Sequence, residues 1–547
     1  MIRSVGPAGG PITALDWDDK RLLINDRCSL TLNGAPKKVS IGEENTKDWT
    51  REYSDRLSWT GQKAWGYARF ELESGRNWTM LIQDPKAPAS AKSTTGRNTN
   101  STIDLDLPDP EFATSLKAQV AHLMMGLVGA ETRPGDPTNY PSAWQRNGVY
   151  TVVGLARSGK LQEAKELSNY FAVNDFFGDF GAEADAPGLS IWALEEVATH
   201  LKKPDYDTFI LPHVQRKADF ILEMLTTPRT LTKSFTGPVI PKYTDNPKIN
   251  LVTDAARDGL IVGRMDWERP LLFVNAVSYR GLLDAASLAD RTQHPIEAKR
   301  WRDAAVTLQK AWGKAFQNPT ESGNDRTFIS ALWPTWVGTN QTAEIAQQLE
   351  TRWQKRRDAA GNFLETPLCT YFDIAEAHQW LLLNQTNAQS ANQTQTKTQS
   401  DRLWSTVRWF WKNQASPGLY TWWEGSGEEN TSKRWENVRG WVNPAHVSPH
   451  YWTSAEMLLL QLDMLAYTDE SAQQPIVVIG AGIPQDWLNK SMSVKDLPMH
   501  GTTLSWVWDG KQMQVKVVSK TIGDKMPIRL GPLFPSGTVL KVEYAQS

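Results

Sequence analysis

Cysteine is nearly missing from this chain: Cys28 and Cys369 are the only two in 547 residues. Two thiols so far apart give neither a disulfide framework nor a metal-ligand spacing, and they read as unrelated buried groups. No apolar run approaches the roughly 18 residues that a membrane span needs. Net charge is also small, a formal −2 from 59 Lys+Arg against 61 Asp+Glu. Without a basic stripe to neutralise phosphates, neither nucleic acid nor an anionic membrane is expected as a partner. No cofactor fingerprint stands out, and oligomeric state leaves no trace. The opening residues, MIRSVGPAGGPITALDWDDK, lack a charged stretch followed by an apolar one, so they do not read as a signal peptide. The compartment stays open: cytoplasmic, or extracytoplasmic if an upstream segment is missing.

Tryptophan, by contrast, is abundant at 25 residues, and most of these must be core or interface anchors. A chain this long should bury a large core and form more than one domain. Residues 1–107 read as strands, turns and a polar linker, with short runs at 22–24, 29–32 and 68–72. From 108 to 470 the period turns helical. Phe112, Leu116, Val120, Leu123 and Leu127 mark the face of a first helix. Ten more helices are predicted at about 144–158, 161–175, 188–202, 207–225, 272–290, 296–316, 342–357, 371–384, 399–413 and 449–467, and another element could hide around 327–340. Six hairpins need twelve helices. The expected fold is therefore mainly α: an (α/α)6 barrel over 108–470, flanked by the β-rich N-terminal region and a small C-terminal β domain over 471–547. In that last part Asp509-Gly510 between two strand-like runs signals a hairpin. The tract 384–400 is polar and low in complexity, and is expected to be disordered. Two long connections, 226–262 and 414–448, point to function, because compact domains seldom keep such loops otherwise.

Four segments gather ionisable groups, three of them beside tryptophan. Trp144, Arg146 and Asn147 open a helix; the bland role for Arg146 there is to cap a neighbouring carbonyl. Glu183 and Asp185 precede Pro187, where one of them would serve as N-cap and the other would be spare. Arg264, Asp266, Trp267 and Glu268 close the first long loop, with more acids and arginines than capping requires. Trp422, Trp423 and Glu424 lie in the second long loop, followed by Trp435 and Glu436. His446 and His450 are four apart and could share a helix face, but no third ligand is near, so metal is not expected. Flat indoles stack on pyranose C–H surfaces, Arg and Asp grip hydroxyls, and two separated carboxylates can work as general acid and base.

With those residues assembled, the chain resembles the six-hairpin glycosidase superfamily, nearest to glucoamylase-like and trehalase-like inverting hydrolases. Trp144-Gln145-Arg146-Asn147 is similar to the family's Trp-x-Arg-Asp, except that Asn147 replaces Asp. Asp185-Ala186-Pro187-Gly188-Leu189 resembles its acid followed by Gly-Pro-Ala-Leu. Asp266-Trp267-Glu268, with the helix from Ala276 to Leu282, resembles the glucoamylase acid segment; the trehalase-like pattern would select Asp266 instead of Glu268. Glu424 stands where glucoamylases carry their general base. The match runs from about 110 to 470.

The resemblance implies an exo-acting, inverting glycoside hydrolase. Asp266 or Glu268 would protonate the leaving oxygen, and Glu424 would activate water on the opposite face, with the two carboxyls about 6.5–9.5 Å apart. Trp144, Arg146, Asn147, Glu183, Asp185, Arg264, Trp267, Trp423, Glu436 and His450 would hold the sugar. The rivals on the same barrel are a phosphorylase, a lyase using His450 or Tyr451, and a carbohydrate-binding protein without catalysis.

Overall fold

Helices that are apolar on every side alternate along the chain with helices apolar on one stripe, and this alternation builds a ring. The computed structural model describes residues 2–3, 12–43, 55–61, 66–83, 102–135, 140, 143–176, 181–234, 247–266, 268–365, 367, 369–386, 393–415, 418–424, 448–471, 474–519 and 526–546. The chain divides into two compact units, one of residues 1–98, 135–141 and 425–447, the other of 99–134, 142–424 and 448–547. The first unit contains a five-stranded antiparallel sheet and a three-stranded one. Its core gathers Leu15, Trp17, Leu22, Leu30, Ile41 and Trp59.

The second unit contains the helices: α1 (Pro110–Met125), α2 (Gln145–Arg157), α3 (Leu161–Val173), α4 (Ala186–Leu201), α5 (Pro204–Thr226), α6 (Leu271–Arg291), α7 (Pro295–Phe316), α8 (Thr342–Arg356), α9 (Thr370–Thr386), α10 (Gln393–Lys412) and α11 (Tyr451–Leu465). Contacts run α2 to α4 to α6, then through a 3-10 segment, Asp325–Ile329, to α9, α11 and back to α2. That closes an inner ring of six. The other helices, α1, α3, α5, α7, α8 and α10, pack against it from outside. The architecture is an (α/α)6 barrel, as the helical spacing suggests.

Sequence decides which ring a helix joins. In α4 nearly every residue is buried, from Ala186 to Ala198, as an inner helix requires. In α7 the buried residues are Ala298, Trp301, Ala305, Leu308, Trp312 and Phe316, a single stripe at helical spacing. Inner helices also approach closely. A Cβ on Gly188 of α4 would come within 2.4 Å of the Val277 carbonyl of α6, and one on Gly281 within 2.7 Å of Gly188 itself. Only glycine permits that spacing.

Three expectations change here. The element around 327–340 is not an α-helix; after the 3-10 turn, Pro334 and the left-handed Trp336 (φ +59°) prevent continuation. Residues 393–400, placed in a disordered tract, form the first turns of α10, because Thr396 and Gln399 are buried with Leu403, Trp404 and Val407 on the same face. Cys28 and Cys369 are not joined in a disulfide and are only partly buried. After the barrel, strands Met492–Met499, Thr502–Trp508, Gln512–Ser519 and Val539–Gln546 form a sheet in the same unit. Asp104–Asp106, from the end of the N-terminal stretch, is its edge strand. The Asp509-Gly510 hairpin pairs Trp508 with Met513, with Gly510 at φ +94°.

The barrel axis is filled with rings. Trp452 stacks on Tyr371 (3.5 Å between centroids), Tyr150 meets Tyr371 and Trp192, and Trp192 leads to Trp333. Trp333 stacks on His378 at 4.1 Å. His378 is fully buried, with Nδ1 2.7 Å from Glu456 and Nε2 3.0 Å from Asp463. Asp463 also accepts from Arg157, the last residue of α2. Two carboxylates facing both ring nitrogens require both to carry protons. Burial alone would depress His378, but the bonds to Asp463 and Glu456 outweigh it and hold the imidazolium above its ordinary value. A histidine raised in the folded state adds stability in full below its ordinary pKa of about 6.5 and loses that contribution as pH climbs through the raised value. His378→Gln should therefore lower Tm more at pH 6 than at pH 9. A Tm gap that is constant or widens with pH would contradict this assignment.

Candidate active site

Each inner element presents its first turn to the same end of the barrel. The ion pairs of Arg146 join the starts of α2, α4 and α6, and Arg326 adds the 3-10 segment. The starts of α9 and α11 meet where Thr370 Oγ1 lies 2.9 Å from Thr453 Oγ1. Candidates scattered along the sequence therefore gather at one rim.

Arg146 is at the centre of one cluster. Its Nε donates to Asp185 at 2.8 Å, Nη1 to Asp266 at 3.2 Å, and Nη2 to Glu183. The side chain is 5% exposed. Asp185 holds the N-cap position of α4 but makes no capping bond, since its carboxylate turns to Arg146. Glu183 also accepts the Asp266 N–H at 2.8 Å. Neither reading of Arg146 as a simple cap nor of Asp185 as a simple cap holds. Asn147 follows, buried, with its carbonyl taken by Thr151.

Asp266 and Glu268 do not cap α6 either, whose N-cap is Pro270. They flank a tight turn in which Met265 and Glu268 exchange backbone bonds at 3.2 and 2.9 Å. Asp266 sits in the left-handed region at φ +51°, a strained position held by its neighbours. Arg264, expected to contact a ligand, pins this turn: its guanidinium donates to the carbonyls of Leu251 (2.7 Å), Asp266 (2.8 Å) and Ala182.

Arg326 was not among the residues singled out from the sequence. It donates to Asp266 at 3.1 Å and to Glu268 at 3.0 Å, so both candidate acids share one guanidinium. Its only sequence cue was the Asn324 cap before it, with no tryptophan or acid pattern to draw attention. Burial would raise Asp266, but Arg146 and Arg326 outweigh it and hold the carboxyl below its usual range. Glu183 moves the other way: burial pushes it up, against the pull of Arg146, with Asp266 and Asp185 adding repulsion. Two acids in contact are thus driven apart, a pattern that marks functional sites. A cavity of about 10 Å³, room for one water, lies among Trp144, Gln145, Arg146, Phe176, Gly181, Glu183, Asp185 and Ala186.

The second cluster carries Trp423 and Glu424. The Glu424 carbonyl accepts the Thr370 N–H at 3.1 Å, and the Trp423 indole donates to Pro367 at 3.1 Å. Trp422 is fully buried and donates to Phe410, a structural anchor. Glu424 lies close enough to Cys369 to help burial push that thiol up to about 12. His450 is the N-cap residue of α11, one position before the helix. Its Nδ1 is 2.7 Å from Thr453. Trp267, Trp435, Glu436 and His446 lie outside the described residues. Among the described residues no group of His, Cys, Asp and Glu could hold a metal ion.

No family model matches the chain, and no curated protein does. Solved structures do. It is similar to a GH78 family rhamnosidase of Bacillus sp. GL1, at 12% identity and a TM-score of 0.46 over 96% of this chain. It spans only 54% of that chain's length. A rhamnosidase from Klebsiella oxytoca with rhamnose bound is 12% identical at a TM-score of 0.47, covering 83% of this chain and 95% of that one. A glucoamylase from Saccharomycopsis fibuligera is 9% identical at 0.43, covering 66% and 96%.

Removing Arg146 leaves Glu183, Asp185 and Asp266 buried together without their common cation. Arg146→Met should destabilise the chain by about 3–5 kcal/mol, the usual loss when one partner of a buried pair is removed. Urea unfolding checks this, and a loss under about 1 kcal/mol would mean that the carboxylates do not depend on it.

Proposed function

We propose that the chain is a glycoside hydrolase acting at this rim. The observation that carries the proposal is the assembly of Glu183, Asp185, Asp266 and Glu268 around Arg146 and Arg326. Such an assembly can hold sugar hydroxyls, stabilise positive charge on the reacting ring and supply a proton. The proton donor must carry a proton in the resting complex. Asp266 suits that role poorly, because two guanidiniums occupy its oxygens. Glu268 suits it better: its side chain is 56% exposed, so the Arg326 contact is screened by solvent and a leaving-group oxygen can displace it. Asp266 then acts as a fixed negative charge beneath an oxocarbenium-like transition state.

Glu424 is the proposed base for an inverting displacement. Trp144, Trp267 and Trp423 would stack on the sugar, and Asn147, Glu183, Asp185, Glu436 and His450 would contact it. Arg146 and Arg264 shape the site through the carboxylates and the turn they hold. Asn147, an amide where the resembling family has a carboxylate, leaves the reacting sugar neutral surroundings at that point.

Leaving groups separate the two acids. On oligosaccharides Glu268→Gln should lose about 10²–10⁴-fold in kcat. On the corresponding glycosyl fluoride, which needs no protonation, the loss should be far smaller. Asp266→Asn should impair both substrates alike. A leaving-group dependence found in Asp266→Asn and missing in Glu268→Gln would reverse the assignment.

A further inference from the structure

A hydrogen-bond relay under Glu424 fixes the chemistry of His450. Thr370 Oγ1 donates to the Trp423 carbonyl, which can only accept. Its one proton is thereby used, so the 2.9 Å contact with Thr453 Oγ1 must be donated by Thr453. The Thr453 proton is used in turn. The 2.7 Å contact between Thr453 and His450 Nδ1 therefore needs a proton on Nδ1. The ring's other nitrogen, Nε2, is left as a lone pair. It is fully buried and, among the described residues, has no hydrogen-bond partner. Burial alone drives His450 down to about 3, in keeping with a neutral ring.

Buried polar atoms without partners are rare and call for an explanation. A second lies two residues on: among the described residues the Trp452 indole N–H is also buried and unpartnered, on a ring whose centroid is 6.3 Å from that of His450. One is an acceptor and the other a donor. A hydroxyl, which both donates and accepts, can satisfy either. A carboxylate or phosphate would set its lone pairs against Nε2, and an ammonium would be repelled by the indole N–H.

We propose that His450 is a specificity-determining acceptor, locked as the Nδ1–H tautomer by Thr453, Thr370 and the Trp423 carbonyl, which receives a hydroxyl proton from a neutral sugar. The inference rests on the carbohydrate reading above. It adds that this subsite takes a hydroxyl rather than the carboxylate of a uronic acid.

The test is long-range ¹H–¹⁵N correlation spectroscopy on the full chain labelled at its eight histidines, with His450→Gln identifying the signal. The expected spectrum at pH 7 shows a protonated Nδ1 and a bare Nε2. Thr453→Val should populate the Nε2–H form. Methyl α-D-glucoside or methyl α-L-rhamnoside should shift Nε2 and leave Nδ1 in place, and His450→Phe should bind that glycoside roughly tenfold more weakly, the loss of about one neutral hydrogen bond. A wild-type Nε2–H tautomer, an Nε2 signal that neither glycoside moves, or undiminished binding by His450→Phe would each overturn the proposal. A wild type that binds a glycoside through His450 but hydrolyses no glycosidic bond would instead sink the hydrolase reading and leave this one standing.

Discussion

Everything at the rim depends on one buried cation. Arg146 enters at the first turn of an inner helix, and there three carboxylates from two other segments close on it. Burying those acids without a partner would be prohibitive, and burying the guanidinium alone would be no better. Together the three acids share one guanidinium, and their geometry follows from the planar fork of the arginine. The 265–268 turn, the α4 start and the α2 start are thereby held in mutual register. Arg264 completes the arrangement from behind by tying the turn's backbone to neighbouring carbonyls.

The barrel then makes the two ends of its axis different. At the rim, Glu183, Asp185, Asp266 and Glu268 meet Arg146 and Arg326. At the other end Asp463 is shared by Arg157, which also binds Glu196, and by His378, which also binds Glu456. Between them Tyr150, Trp192, Tyr371 and Trp452 fill the axis and form the floor of the rim. Many of the tryptophans serve this packing and the outer core, as Trp301, Trp312 and Trp422 do.

How much of this was legible in the sequence follows from the range of each signal. Helical periodicity is local, and it placed ten of the helices within a few residues, as with 272–290 against Leu271–Arg291. It missed the start of α10, where Gln and Thr look disordered until Thr396 and Gln399 are seen packed inward. Trp144-Gln145-Arg146 and Asp266-Trp267-Glu268 were visible because acids, arginine and indole cluster within a few residues. Arg326 was not, because its meaning comes entirely from residues about sixty positions away. Thr370 and Thr453 are ordinary residues whose importance lies in the direction of a hydrogen bond, which sequence does not record. Arg264 was legible as a site residue but not in its task of holding carbonyls.

The central claim is that the gathered carboxylates hydrolyse a glycosidic bond by a single displacement, with Glu424 as base. Proton NMR of the first product released from a panel of α- and β-linked oligosaccharides, with Glu424→Gln beside the wild type, addresses it directly. The wild type should release a product of inverted anomeric configuration, and the variant should not. A first product of retained configuration, or turnover undiminished in Glu424→Gln, would contradict it.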